Sequence, residues 1–175
     1  MARRKNGRVA HLDFDLAAVL DLQRTLAGIA ENVRSDVIGD MVAEGAKPIV
    51  RAIKPKVPVD LGNLRASIAY GVRKNRRRGT AVAYVGPEVG GIFRAGKRLN
   101  KKKDDLRGAS GPSRYAHLIE FGHAARDGSN VEAKPFMRPG TNESINQVQG
   151  ALVVGFQKGL TRAARKFAKR IAKGK

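Results

Sequence analysis

The sequence predicts an α+β fold in which two long helices, the first kinked near Pro48, pack on a small antiparallel sheet. Apolar residues recur at helical spacing before residue 54 and again after residue 139. Between them lie two short segments rich in β-branched residues, joined by a polar linker that is typical of a hairpin. A long basic loop is inserted after the second segment. We expect one domain at 13–172, between a flexible basic arm (1–12) and a basic tail (173–175).

The first helix is predicted between Phe14 and Ile53. Pro48 lacks a backbone donor, so we expect the helix to kink or split near residues 45–47. Pro55 ends it. The apolar positions that predict the helix are Val19, Leu22, Leu26, Ile29, Val33, Val37, Met41, Ile49 and Ile53.

A turn is predicted at residues 60–63, immediately after the first helix. Its composition, with Asp, Gly and Asn, is typical of turns. We expect the Asp60 carboxylate to accept a hydrogen bond from the backbone N–H of Gly62 or Asn63. Such a cap contributes about 1 kcal/mol.

Two strands are predicted at 67–72 and 80–85, where β-branched residues are frequent. The linker at 73–79 carries four Arg residues and a Gly, which suits a solvated hairpin tip. The segment 86–113 that follows is rich in Gly, Lys and Arg and lacks apolar periodicity. We expect it to be a structureless, mobile insertion that becomes ordered on assembly.

The C-terminal region predicts a short element and a long helix. Residues 115–121 fit either a helix or a strand, which Gly122 ends. Pro139 suits the first turn of the last helix, and Glu143 favours its positive end. One helical face is apolar, with Ile145, Val148, Leu152, Phe156, Leu160, Ala163, Phe167 and Ile171. The opposite face is basic, with Lys158, Arg162, Arg165, Lys166, Lys169, Arg170 and Lys173.

The composition limits the class of protein. The 35 Lys and Arg residues outnumber the 15 Asp and Glu residues, giving a net charge of +20, which favours a polyanionic partner or an acidic protein surface. The absence of Cys excludes disulfides and thiolate metal sites and fits a reducing cytosol. No apolar run approaches the ~20 residues that span a bilayer, and the N-terminal residues lack a secretory signal. We expect a soluble protein made inside the cell.

The sequence offers no catalytic pattern. His117, Glu120 and His123 are three residues apart, whereas two His ligands on one helix need a spacing of four. The Ser residues lack a nucleophile elbow. The Gly-rich stretch that ends at Lys97 is followed by Arg98, where a P-loop needs Ser or Thr. We therefore expect no catalytic residue, no cofactor and no metal, and classify the chain as a non-enzyme.

Three short motifs occur in order along the chain: Lys56–Ile68, Tyr115–Gly122 and Lys134–Pro139. Each one alone is weak, but the three in this order, before a long C-terminal helix, are more specific. Together they resemble the neck or head–tail joining proteins, also described as tail-component or tail-completion proteins, of long-tailed double-stranded DNA bacteriophages. The residues that carry the resemblance are Pro58, Asp60, Gly62, Leu64, Ser67, Tyr115, Glu120, Phe121, Gly122, Pro135, Phe136, Arg138 and Pro139.

The resemblance implies a structural virion protein that forms a ring between the DNA-filled head and the tail. A homo-oligomeric ring is implied, with six-fold symmetry favoured over twelve-fold, together with contacts to adjoining connector, head-completion and tail proteins. It also implies synthesis in the host cytoplasm and location in the virion. The family motifs are structural, and none of them marks a catalytic group.

The basic clusters leave a second function open, because they are suited to neutralising phosphates of packaged double-stranded DNA or to binding acidic protein surfaces. The alternatives to a neck protein are a sequence-nonspecific nucleic-acid-binding protein, a tail terminator that caps the tail tube, and a small hydrolase or nuclease built on Asp104 and Asp105. The candidate DNA or acidic-partner contacts are Arg73, Lys74, Arg76, Arg77, Arg78, Lys97, Arg98, Lys101, Lys102 and Lys103.

Overall fold

The computed structural model describes residues 31–100, 104 and 109–173. The predicted arm at 1–12, the first part of the first helix, the loop residues Lys101–Lys103 and the last two residues lie outside this description. Two single 3₁₀ turns, Lys54–Lys56 and Pro112–Arg114, interrupt the loops. In chain order the elements are α1 (Glu31–Ile53), α2 (Asn63–Ser67), β1 (Ile68–Asn75), β2 (Thr80–Pro87), β3 (Phe93–Arg94), β4 (Lys97–Arg98), α3 (Ala116–Phe121), β5 (His123–Ala124), β6 (Asn130–Val131) and α4 (Met137–Ala172).

The predicted α+β class is confirmed, with small antiparallel sheets beside helices. Each described sheet is a two-stranded hairpin: β1 with β2, β3 with β4, and β5 with β6. The β1–β2 hairpin is the longest, and its register runs from Ile68 opposite Pro87 to Asn75 opposite Thr80. Helix α1 packs against this hairpin on one side and against α4 on the other. The expectation that both long helices pack on one sheet is therefore not confirmed, because α1 lies between the β1–β2 hairpin and α4.

Helix α1 continues through Pro48 as one helix, so the predicted split is wrong. Pro48 is buried, and packing against the hairpin and α4 holds the chain helical around it. This packing outweighs the loss of one backbone hydrogen bond at the proline. The predicted bend at Pro48 stays a prediction.

The helices α1 and α4 are antiparallel and approach closely at glycines. A Cβ atom on Gly155 would lie 2.7 Å from the Met41 Cα atom, and one on Gly159 would lie 2.9 Å from the Val37 Cα atom. Only glycine therefore permits this separation of the helices. The helices do not approach closely at Gly150, where a Cβ atom would meet nothing within 4 Å.

The segment 86–113 is not structureless as the sequence predicts. Within it β3 and β4 form a short hairpin, and the backbones of Phe93 and Ser110 exchange two hydrogen bonds of 2.8 and 2.9 Å. Phe93 is 2% exposed. The burial of this single aromatic ring fixes the segment against the rest of the protein, and a search for apolar periodicity cannot detect a single buried residue. The expected mobility of the segment before assembly stays a prediction.

The hydrophobic core lies at one end of the molecule, which we call the core end. It contains Ile53, Val57, Leu64, Ile68, Ala116 and Phe136. The tip of the β1–β2 hairpin (Arg76–Gly79) lies at the opposite end. The direction of α1 shows this separation, because its Gly39 lies beside Lys74 near the tip, whereas its last residue, Ile53, contacts Gly140 of α4.

Candidate functional site

The second and third motifs meet through the carboxylate of Glu120, which is only 7% exposed. Its Oε2 atom accepts hydrogen bonds from the backbone N–H groups of Phe136 (2.8 Å) and Met137 (2.9 Å). Its Oε1 atom accepts from the N–H of Arg138 at 3.2 Å. A glutamate at the end of α3 therefore caps the N-terminus of α4, to which it is joined only by a loop.

This cap satisfies all the free donors at the start of α4. The first four N–H groups of an α-helix lack partners within the helix. Here three of them bind Glu120, and the fourth position, Pro139, has no N–H to satisfy. The first bond within the helix runs from the N–H of Gly140 to the carbonyl of Phe136 (3.3 Å). The negative carboxylate also lies at the positive end of the helix dipole.

Gly122 makes the turn that brings these two motifs together. Its φ of 70° and ψ of 168° define a backbone conformation that is essentially restricted to glycine. A Cβ atom there would lie 2.6 Å from the Val131 carbonyl oxygen. The chain then returns through the β5–β6 hairpin, and the N–H of Lys134 donates to the Ile119 carbonyl at 2.8 Å.

The ring of Phe136 connects the same cluster to the first motif. Phe136 is fully buried and packs in one core with Leu64 and Ile68 of the first motif and with Ala116 of the second. Ser67 is also buried, and its hydroxyl donates to the Leu64 carbonyl at 2.7 Å. All three sequence motifs therefore contribute to one structural unit, which we call the motif cluster.

Asn63 connects the motif cluster to the basic segment. Its side chain, 4% exposed, donates to the Ser110 hydroxyl (3.1 Å) and accepts from the N–H of Gly96 (2.9 Å). The resemblance did not mark Asn63. Its position inside the first motif was the signal available in the sequence. A polar side chain that is buried there needs hydrogen-bond partners from another segment.

The remaining motif residues lie around this unit. The predicted cap by Asp60 is wrong, because Gly62 is the N-cap of α2 with a φ of 71° and no side chain caps that helix. Asp60 is exposed, and so are Pro135 and Pro139, while Pro58 and Tyr115 are half-buried. Phe121 is 63% exposed and stacks under the Arg138 guanidinium, 5.4 Å from the ring centre. This contact is a cation–π interaction on the surface of the motif cluster.

An ion-pair ladder, which the sequence interpretation missed, connects α1 to α4. Asp36, Asp40 and Glu44 lie four residues apart on α1 and face three cations that lie four apart on α4. Because the helices are antiparallel, the pairs run in opposite order along the two chains. The pairs are Asp36–Lys166 (3.2 Å), Asp40–Arg162 (2.8 Å) and Glu44–Lys158 (3.0 Å). The matching spacing of four in both helices was a signal available in the sequence.

Neighbouring lysines, inside and outside the ladder, lower the pKa values of two of its carboxyls. A hydrogen bond from Lys74 holds the pKa of Asp36 below its usual value, and Lys166 adds to this effect. The pKa of Glu44 is lowered mainly by a hydrogen bond from Lys47 and, to a smaller extent, by one from Lys158. In both cases partial burial opposes the shift without cancelling it. These carboxylates are therefore charged in the folded protein at neutral pH.

The predicted DNA or acidic-partner contacts fall into different groups. Lys74 pairs with Asp36 at 2.9 Å, and Arg98 forms an ion pair with Glu88 at 2.6 Å that lowers the pKa of Glu88. Three cations of the predicted basic face of α4 belong to the ladder, so the carboxylates of α1 neutralise part of that face. Lys101, Lys102 and Lys103 lie outside the described residues. The exposed remainder comprises Arg73, Arg76, Arg77, Arg78 and Lys97.

The described residues bring no reactive groups together. Among them, no group of three or more His, Asp or Glu side chains is placed to hold a metal ion. His117 is exposed, and Asp104 is an exposed loop residue that accepts a hydrogen bond from the N–H of Asn100. In the part of the chain that the structure describes, no helix has the length and apolar character needed to cross a membrane.

The motif residues thus cap a helix, fill a core and fix turns. The chain belongs to the phage family described as "Bacteriophage HK97-gp10, putative tail-component", whose model matches residues 21–122, more than half of the chain. Neither the curated proteins nor the solved structures include a significant match. The match contains the first two motifs and stops at Gly122, before α4. The Glu120 cap joins α4 to the matched region.

Proposed function

We propose that this phage tail-component protein is a ring subunit at the head–tail junction, where it joins the DNA-filled head to the tail. The observation that carries the proposal is apolar surface on α4 that the described residues leave exposed. Leu152 and Gly155 face α1, whereas Val153 and Val154, on the other side of α4, are 58% and 45% exposed. Apolar residues exposed side by side on a helix favour burial against a neighbour.

The hairpin supplies a second exposed surface for a neighbour. Val82 and Tyr84 point away from α1 on the outer face of β2 and are 50% and 58% exposed. The helix surface and the hairpin surface differ from each other, as a head-to-tail contact between identical subunits requires. Such contacts close into a ring, for which we favour six-fold over twelve-fold symmetry. We further propose that the 86–113 segment orders fully when neighbouring subunits and connector proteins assemble.

Deleting the gene from the phage tests the proposal, with electron microscopy of the resulting particles. We expect DNA-filled heads and tails of normal length that remain unjoined. Tails of abnormal length would identify a tail terminator instead. Normal infectious particles would contradict any role in assembly.

The helix surface is tested by complementing the deletion with Val153→Asp. A carboxylate there must be buried when a neighbour covers α4, so we expect at least a tenfold loss of joined particles. The matched control is Val89→Asp, at a loop valine that is 89% exposed. We expect the control to complement normally. Equal complementation by both variants would show that a neighbour does not cover this part of α4.

A further inference from the structure

The structure brings two basic clusters, separate in the sequence, to one end of the molecule. The hairpin-tip residue Arg76 lines the same cleft as Arg162 and Lys166 of α4. The tip also carries Arg77 and Arg78, and its turn is held by a hydrogen bond from the N–H of Arg78 to the Asn75 side chain (3.1 Å). We call this region the basic end. Six of its exposed cations take no part in the ion pairs with Asp36 and Asp40, namely Arg73, Arg76, Arg77, Arg78, Arg165 and Lys169.

The acidic residues at this end do not neutralise it. Asp36 and Asp40 line the cleft, but Asp36 is already paired with Lys74 and Lys166, and Asp40 is paired with Arg162. Across the described residues, no carboxylate forms an ion pair with the six exposed cations of the basic end. Their positive charge is therefore available to a partner.

We propose that the basic end binds the phosphate backbone of duplex DNA without reading its sequence. Several long cationic side chains from two elements, exposed and in no fixed pocket, suit phosphate contacts that release counterions. Single strands are usually held on several stacked aromatic rings, whereas the described part of this end offers one, Phe167. An acidic protein is the competing partner, because arginine is also enriched at protein interfaces, and the competition experiment below separates the two.

The inference deepens the proposed function, because a ring between head and tail surrounds the passage of the genome. It also narrows the sequence-based prediction, which treated all basic clusters alike. The β3–β4 hairpin carries Lys97 and Arg98 near the core end, since Gly96 binds Asn63 there. We therefore place the DNA contact at the hairpin tip and α4 rather than at Lys97 and Arg98.

The test is the salt dependence of binding between the purified full chain and a 30-base-pair duplex. The variant R76Q/R77Q/R78Q removes three cations from the basic end. The control R51Q/K54Q/K97Q removes three exposed cations near the core end, so both variants fall equally from a net charge of +20. We expect the tip variant to lose about tenfold in affinity and its log–log salt slope to fall by about 2–3. The control slope should fall by less than about one.

Three results would overturn the inference: no binding to the duplex at low salt, equal losses in both variants, or competition by poly-glutamate as effective as that by DNA at equal charge. The last result would favour an acidic protein partner. If the tip variant fails to fold, R165Q/K169Q on α4 provides the same comparison with a two-cation control, R51Q/K54Q. Because these assays use isolated protein, they remain distinct from the joining test. If the joining test fails while the duplex binds as expected, the ring proposal is wrong. If joining occurs as expected but the duplex does not bind, the inference about the basic end is wrong.

Discussion

Glu120 is the residue on which the motif cluster most depends. Its two oxygens receive three backbone donors from α4, and its side chain is buried. Removing it leaves the buried N–H of Phe136 without a partner, which costs more than losing a hydrogen bond in water, and the part-buried donors of Met137 and Arg138 lose the same acceptor. This side chain, together with the backbone hydrogen bond from Lys134 to Ile119, thus connects the two ends of the long loop between α3 and α4.

We predict that Glu120→Ala lowers the free energy of unfolding by about 2–3 kcal/mol, because it removes charge-assisted hydrogen bonds and leaves the buried Phe136 donor unpaired, which alone costs about 1–3 kcal/mol. Glu120→Gln should cost less, since its amide oxygen still accepts. Chemical denaturation followed by circular dichroism measures both. The control Glu132→Ala, at an exposed glutamate, should change stability by less than about 0.5 kcal/mol. A Glu120→Ala effect as small as the control's would show that the cap is unimportant.

Residues of this kind are only partly predictable from sequence. Glu120, Gly122 and Phe136 were selected because the motifs resemble a family, but their contact joins positions 16 residues apart through a loop. Local patterns do not reveal such a partner. The Asp60 cap was predicted from local turn chemistry and was wrong, because Gly62 with its positive φ already provides the start of α2.

The packing of α1 on α4 combines close contact at glycines with paired charges at the edge. Glycine weakens an isolated helix by about 1 kcal/mol relative to alanine. At Gly155 and Gly159 that cost is offset by contact between the helix backbones. Whether replacing a glycine of α4 raises or lowers the stability of the protein therefore depends on the helix face on which that glycine lies.

Gly155→Ala and Gly150→Ala should change stability in opposite directions. The first places a methyl group 2.7 Å from the Met41 Cα atom, and we expect it to cost about 1–3 kcal/mol by pushing the helices apart. The second meets nothing and should add up to about 1 kcal/mol through helix propensity. Thermal melting of the two variants is the measurement. Stabilisation by both would mean that α1 and α4 are not in this contact in solution.

The ladder predicts a loss of stability in acid. A carboxyl whose pKa is lowered in the folded state stabilises the protein above its unfolded pKa, and this contribution is lost as pH falls through the folded pKa. For Asp36 and Glu44 the loss begins near pH 4–5 and continues downward. Urea denaturation between pH 7 and pH 3 should show it.

The double variant Asp36→Asn with Glu44→Gln should reduce the difference in stability between pH 7 and pH 3. The control Asp60→Asn, at an exposed carboxyl, should leave the difference as in the unchanged protein. An unchanged difference in the double variant would contradict a stabilising ladder. The i, i+4 spacing made these pairs predictable in principle, but only the antiparallel register of the helices identifies the partners.

The described part of the molecule places its main hydrophobic cluster at one end and a group of six exposed cations without ion-pair partners at the other. The sequence was sufficient to predict the α+β class, the β1–β2 hairpin and the long C-terminal helix, because these depend on periodicity and turn composition. It was not sufficient to place the basic clusters, since their arrangement depends on how α1, α4 and the hairpin pack. The buried Phe93 likewise depends on a contact with Ser110, 17 residues away.

Reconstruction of the neck of the intact phage particle by cryo-electron microscopy tests the central claim most directly. We expect a closed ring of this subunit between head and tail, with Val153 and Val154 buried against a neighbouring copy. The same subunit found at another level of the particle, or missing from purified infectious particles, would contradict the claim.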